Sequence, residues 1–168
     1  PLPLAAALTR RARQLCLGLE GGDADILELV TPTTAALLRW WFGEDACASR
    51  AFNFPAGQPQ AILNAIVAHD VLGGIDLADL YHKACPEALL EGGLLAEVTQ
   101  AKHAHPKYCL KMATGTGKTW VLQALLVWQM LNRTVALDED HADPRFTRRF
   151  LVVAPGLIVY ERLLDAFL

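Results

Sequence analysis

Leu4, Leu8, Ala12, Leu15 and Leu19 recur every three to four residues. That spacing predicts an amphipathic helix over 3–19, broken at Gly21-Gly22-Asp23. Thr31-Pro32-Thr33 is a helix start: the hydroxyl can cap and proline suits the first turn. A helix over 33–42 follows, carrying Leu37, Leu38, Trp40, Trp41 and Phe42, and Gly43 ends it. After an irregular stretch, Ala61, Ile62, Ala65, Ile66 and Leu72 form one stripe of a helix over 58–72, closed by Gly73-Gly74. Residues 76–85 and 87–104 read as helices separated at Pro86.

The last third changes character. Residues 108–112 read as a strand, 113–117 as a Gly/Thr turn, and 118–132 as a helix apolar nearly all round and therefore buried. A charged loop over 138–149 leads to Phe150-Leu151-Val152-Val153-Ala154, an apolar run of the kind buried on both faces of a parallel sheet. Pro155-Gly156 ends it, and a further helix begins near Ile158. Strand, helix, strand, helix is an α/β order, in which the two strands are expected as neighbours or near-neighbours in one parallel sheet. The expected division is a helical N-terminal region over 1–50 and an α/β region over 51–168.

Composition narrows the classes. Hydrophobic residues are 53% and charged residues 20% of 168, which excludes a disordered chain. Net charge is −3, which argues against a nucleic-acid binder working by bulk positive charge, though a local basic groove is allowed. No stretch reaches the roughly 18 uncharged residues of a membrane helix. Trp120 to Leu131 comes nearest, bracketed by Lys118 and Arg133. Cys16, Cys47, Cys85 and Cys109 make no C-x-x-C pair, so zinc lacks its ligand spacing and reduced thiols of a cytoplasmic protein are expected. The chain begins at Pro1 and stops within an apolar run, and is expected to be a piece of a longer protein.

The chemistry-bearing stretch is Met112-Ala113-Thr114-Gly115-Thr116-Gly117-Lys118-Thr119. Its second half fits the phosphate-binding G-x-x-x-x-G-K-[ST], while Met112 stands where the first glycine belongs. Gly115 and Gly117 let successive backbone N–H groups turn towards a phosphate, and the following helix points its positive end there. Lys118 supplies a mobile charge for the β- and γ-phosphates, and Thr119 a hydroxyl for Mg²⁺. The plain alternative is a Gly/Thr turn without a ligand.

Gly-x-Gly-Lys-Thr without the leading glycine resembles motif I of superfamily 2 helicases and translocases. The run from Phe150 through Pro155-Gly156 to Leu163 resembles motif Ia of the Res subunits of type III restriction enzymes. Gln58-Pro59-Gln60-Ala61-Ile62, after Phe52 and Phe54, resembles the glutamine motif ahead of the P-loop. The run from Thr31 to Phe42 resembles the segment before it. The likeness spans residues 29–168. It implies a RecA-like P-loop lobe with its parallel sheet, ATP and Mg²⁺ as cofactors, and DNA as partner, together with a modification (methyltransferase) subunit. It also implies nucleotide contacts from Gln58 and from Thr114, Gly115, Thr116, Gly117, Lys118 and Thr119. Gln58 would read adenine, with Phe52 or Phe54 stacking on the base. Pro155, Gly156 and Arg162 would contact the DNA backbone.

Asp138-Glu139-Asp140-His141 spells the acidic motif of such motors, but it follows a helix expected to end near Asn132 and precedes motif Ia. It is read as an acidic surface loop, which leaves the catalytic acids outside this stretch. The whole protein is then expected to be an ATP-hydrolysing translocase, with an endonuclease activity carried elsewhere, and the fragment alone inactive. The rivals are another P-loop enzyme such as a small-molecule kinase, and a regulatory module that keeps the loop as a structural turn.

Overall fold

Local chemistry at helix ends explains most of the elements in the computed structural model, which describes residues 3–19, 23–138, 143–153, 156, 157, 160, 161 and 164. Two units divide the chain, Pro1–Lys111 and Met112–Leu168.

The first unit is helical. Helices α1 (Pro3–Leu15), α2 (Ile26–Leu29), α3 (Pro32–Phe42), α4 (Glu44–Ala48) and α5 (Gln58–Ile66) come first. A π-turn over Val67–Val71, α6 (Leu77–Ala84), a 3₁₀ turn at Pro86–Leu90 and α7 (Leu94–Val98) follow. At the start of α3, Thr31 Oγ1 accepts from the Thr34 N–H at 3.1 Å while its own hydroxyl donates to Thr34 Oγ1 at 2.8 Å. The helix stops where the Gly43 N–H donates to the Arg39 carbonyl, and a Cβ on Gly43 would stand 2.5 Å from that same oxygen. Only glycine fits there without a backbone shift.

Helices α1, α2, α3 and α5 bury Ala12, Ile26, Leu38, Ile62 and Ile66. A second cluster gathers Ala7 of α1, Tyr81, Cys85, Leu89 and Val98. The α5 helix was expected to run to residue 72. It instead loosens at Val67–Val71, where the Leu72 N–H reaches the Val67 carbonyl at 2.9 Å. The extra residue sends Asp70, 5% exposed, to accept from the Thr31 N–H at 3.4 Å, at the positive end of α3. It also sets His69 Nδ1 3.2 Å from the Tyr108 hydroxyl.

The second unit is built on α8 (Lys118–Asp138), six residues longer than expected. Nothing between Asn132 and Asp138 breaks a helix, and Thr134 bonds its hydroxyl back to the Met130 carbonyl at 2.8 Å. α8 is not buried all round. Val121, Ala124, Trp128 and Asn132 form one covered stripe, while Trp120, Val127 and Met130 are exposed. Phe146 packs edge-on against Trp128 at 5.6 Å, and the Thr147 N–H donates to Gln129 Oε1 at 3.1 Å. Backbone at Leu157, Tyr160, Glu161 and Leu164 is helical.

The α/β expectation is overturned. Among the described residues there is no strand, hence no parallel sheet and no RecA-like lobe. Residues 108–112 and 150–153 are irregular, and Ala154 lies outside the described residues. Leu151 and Val153 are 90% and 82% exposed, the opposite of a strand buried on both faces. The physical reason is that β-propensity expresses fit to a pleated, half-buried surface, and that surface exists only where neighbouring strands and covering helices provide it. Among the described residues no helix is long and apolar enough to cross a membrane.

Candidate functional site

The phosphate loop lies at the start of α8. Gly115 and Gly117 have φ of +81° and +74°, the left-handed region that glycine alone enters freely. A Cβ on Gly115 would meet nothing within 4 Å, so the backbone angle, not space, asks for glycine there. Gly117 stands at the motif's second glycine, and Gly115 adds a bend inside the loop while Met112 holds the first glycine's place.

One carbonyl closes the loop. The Ala113 oxygen accepts from the Thr116 hydroxyl at 2.7 Å and from Lys118 Nζ at 2.9 Å, and Lys118 also reaches the Met112 oxygen at 3.4 Å. Lys118 is thus folded back over its own loop, an exposed ammonium bonded to carbonyls and to no carboxylate among the described residues. Exchanging two neutral acceptors for phosphate oxygens strengthens those bonds, because both partners are then charged. The Trp120 N–H closes the first turn on the Gly117 carbonyl at 3.0 Å. That turn sets Thr119, half-buried, at the second position of α8.

These residues fit a nucleotide's phosphates: two left-handed glycines, a helix N-terminus and a mobile cation meet within six residues. For Mg²⁺ the donor set is thin. Among the described residues no group of three or more His, Cys, Asp or Glu could hold a metal, so the ion would rest on Thr119 and phosphate oxygens. That matches the way Mg²⁺ keeps its waters and binds through substrate phosphates.

The remaining expected residues are placed differently. Gln58 opens α5 in the first unit with its side chain turned inward, 1% exposed. Phe54 packs on Trp41 and Phe42 at 6.1 and 5.6 Å, whereas Phe52 is 63% exposed. Gly156 is exposed, and its carbonyl accepts from the Tyr160 N–H at 3.0 Å. Pro155 and Arg162 lie outside the described residues, as do Glu139, Asp140 and His141. Asp138 is the last residue of α8, not part of a loop after Asn132. The acceptor role of Ala113 was missed, since a backbone oxygen leaves no mark in a residue pattern.

The family described as type III restriction enzyme, res subunit, matches residues 55–168. The chain belongs to that family. No curated protein and no solved structure matches it. The match begins three residues before Gln58 and takes in the phosphate loop and the run after Phe150. The Res family consists of helicase-like P-loop NTPases that depend on ATP, usually with Mg²⁺, and act on DNA. Residues 1–54 lie ahead of the matched stretch.

Proposed function

We propose that this chain supplies the nucleotide-binding part of an ATP-dependent DNA translocase. The observation that carries the reading is Lys118, the first residue of α8, held over a loop with two left-handed glycines by carbonyls and, among the described residues, by no carboxylate. In this reading backbone N–H groups of Thr114 to Lys118 receive the β- and γ-phosphates. Lys118 leaves the Ala113 and Met112 oxygens to pair with them. Thr119 would hold Mg²⁺, which when bound neutralises phosphate charge during attack of water on the γ-phosphorus. Gln58 reads adenine only by turning its amide out of the core, so its role is coupled to a rearrangement at the start of α5. Pro155, Gly156 and Arg162 contact the DNA backbone, a role that the exposure of Gly156 and the helical turn after it favour. A modification subunit as partner, a nuclease activity and a cytoplasmic location belong to the same proposal.

The test is ATP hydrolysis by the full-length protein with and without DNA, for wild type and Lys118→Ala. The expected result is DNA-stimulated turnover that falls below about a tenth of wild type in the variant, with the fold preserved by circular dichroism. DNA-independent phosphoryl transfer would point to a kinase. Absence of nucleotide binding in the wild-type protein would point to a structural turn.

A further inference from the structure

A cavity of about 560 Å³ lies wholly within the first unit, between the C-terminal half of α1, the end of α3, α4 and α5. Neither Gln58 nor any residue of the phosphate loop lines it. Its volume falls in the range of small-molecule sites, which are mostly apolar with a few placed polar groups. One wall is aromatic. Trp41, Phe42 and Phe54 form a three-ring cluster with centroids 5.6 to 6.2 Å apart. Such a cluster offers faces and edges to another flat ring.

Charge is one-sided. Among the described lining residues there is no Asp or Glu, and Arg13 is the single formal charge. Its Nε donates to Gln60 Oε1 at 3.1 Å, and it makes no ion pair among the described residues. The Gln60 amide is turned away, donating to Asn64 Oδ1 at 2.9 Å, so the guanidinium is held in place by a neutral acceptor. A guanidinium so placed keeps its two terminal nitrogens as a fork of donors, the geometry that suits a carboxylate or sulfonate. The cavity also carries two thiols, Cys16 and Cys47. Burial pushes the Cys16 thiol up to about 11, so it adds no negative charge at neutral pH.

We infer that this cavity is a binding site for a small aromatic monoanion, its ring against Trp41, Phe42 and Phe54 and its charged group on Arg13. The site shares Phe54, Pro59 and Gln60 with the stretch that resembles the glutamine motif, and competition with ATP tells the two uses of this face apart. The probes are anilinonaphthalene sulfonate and its uncharged counterpart N-phenylnaphthylamine, titrated by fluorescence into the full-length protein. The sulfonate is expected to bind more tightly than the neutral probe. Arg13→Gln is expected to weaken the sulfonate roughly fivefold, the upper range for a solvent-accessible charge pair, and to leave the neutral probe unchanged. Arg13→Lys, compared with Arg13→Gln, should restore only part of the loss, because an ammonium keeps the charge but not the fork. Arg13 is exposed, so neither change threatens the fold, and thermal melts check this.

Location is read by alkylation with N-ethylmaleimide followed by mass spectrometry. The bound sulfonate should protect Cys47 and leave the exposed Cys109 reactive, while Cys16, a thiol raised to about 11, is slow with or without it. Equal affinity for both probes, indifference to Arg13→Gln, or an unprotected Cys47 would each overturn the assignment. Displacement of the sulfonate by ATP would overturn it too, by making the cavity part of a nucleotide site.

Discussion

The Ala113 carbonyl holds both Thr116 and Lys118, so a single acceptor shapes the loop ahead of α8. What the loop cannot do without is the left-handed backbone at Gly115. Gly115→Ala puts a Cβ into a conformation that disfavours it by about 1–2 kcal/mol, although nothing crowds it. Asparagine tolerates that region better. The expected order of ATP affinity, measured by calorimetry on the full-length protein, is wild type above Gly115→Asn above Gly115→Ala; equal affinities would mean that the bend is not what binds. Asp79 gives a second residue-level expectation. Burial pulls its pKa upward, but the Lys83 hydrogen bond, the Ile75 N–H and the charges of Lys83 and His82 outweigh it and hold it below the ordinary 3.8. A carboxyl lowered on folding contributes stability above its unfolded value and loses it as pH falls through the folded one. Urea midpoints for wild type and Asp79→Asn should therefore differ at neutral pH and converge below pH 3.8.

At the scale of elements, ends decide more than interiors. The close approach at Gly43 makes Gly43→Ala a test of how α3 stops: overlap with the Arg39 carbonyl should destabilise the first unit by about 1–3 kcal/mol in urea unfolding. A neutral result would mean the turn shifts freely. The start of α3 was legible from Thr31-Pro32 because capping and proline act within a turn of their own position. The bends at Gly115 and Gly117 were legible for the same reason. The π-turn was not, because Asp70 finds Thr31 across 39 residues. Nor was the burial of Gln58, which depends on what packs around α5. The strands failed at 108–112 and 150–153 because an apolar run records a preference, while pairing is decided by partners elsewhere in the chain. α8 runs past the expected end at Asn132, which is covered and donates back to the Trp128 carbonyl at 2.9 Å.

Across the whole molecule, the proposed nucleotide site falls inside the family match, and the acidic stretch that begins at Asp138 is where that proposal can be tested separately. Asp138 closes a helix, where the negative end of the dipole disfavours another negative charge. Catalytic acids need a fixed position, since about an ångström of misplacement can lower a rate roughly a hundredfold. Asp138→Ala/Glu139→Ala in the full-length protein is therefore expected to keep near-normal DNA-stimulated ATPase activity. A collapse of turnover with ATP affinity intact would identify this stretch as the motor's acidic motif.

The π-turn carries a consequence for how this chain can change over time. Val67–Val71 holds one residue more than an α-helical turn requires. Removing a single residue there would let the α-helix close, and every position from Leu72 onward would swing by about 100° around the axis. Asp70 and His69 would lose Thr31 and Tyr108 together, whereas most substitutions in the segment disturb one contact at a time. The segment is a spacer whose length is more constrained than its lettering, so among descendants of this sequence insertions and deletions should be purged there faster than replacements.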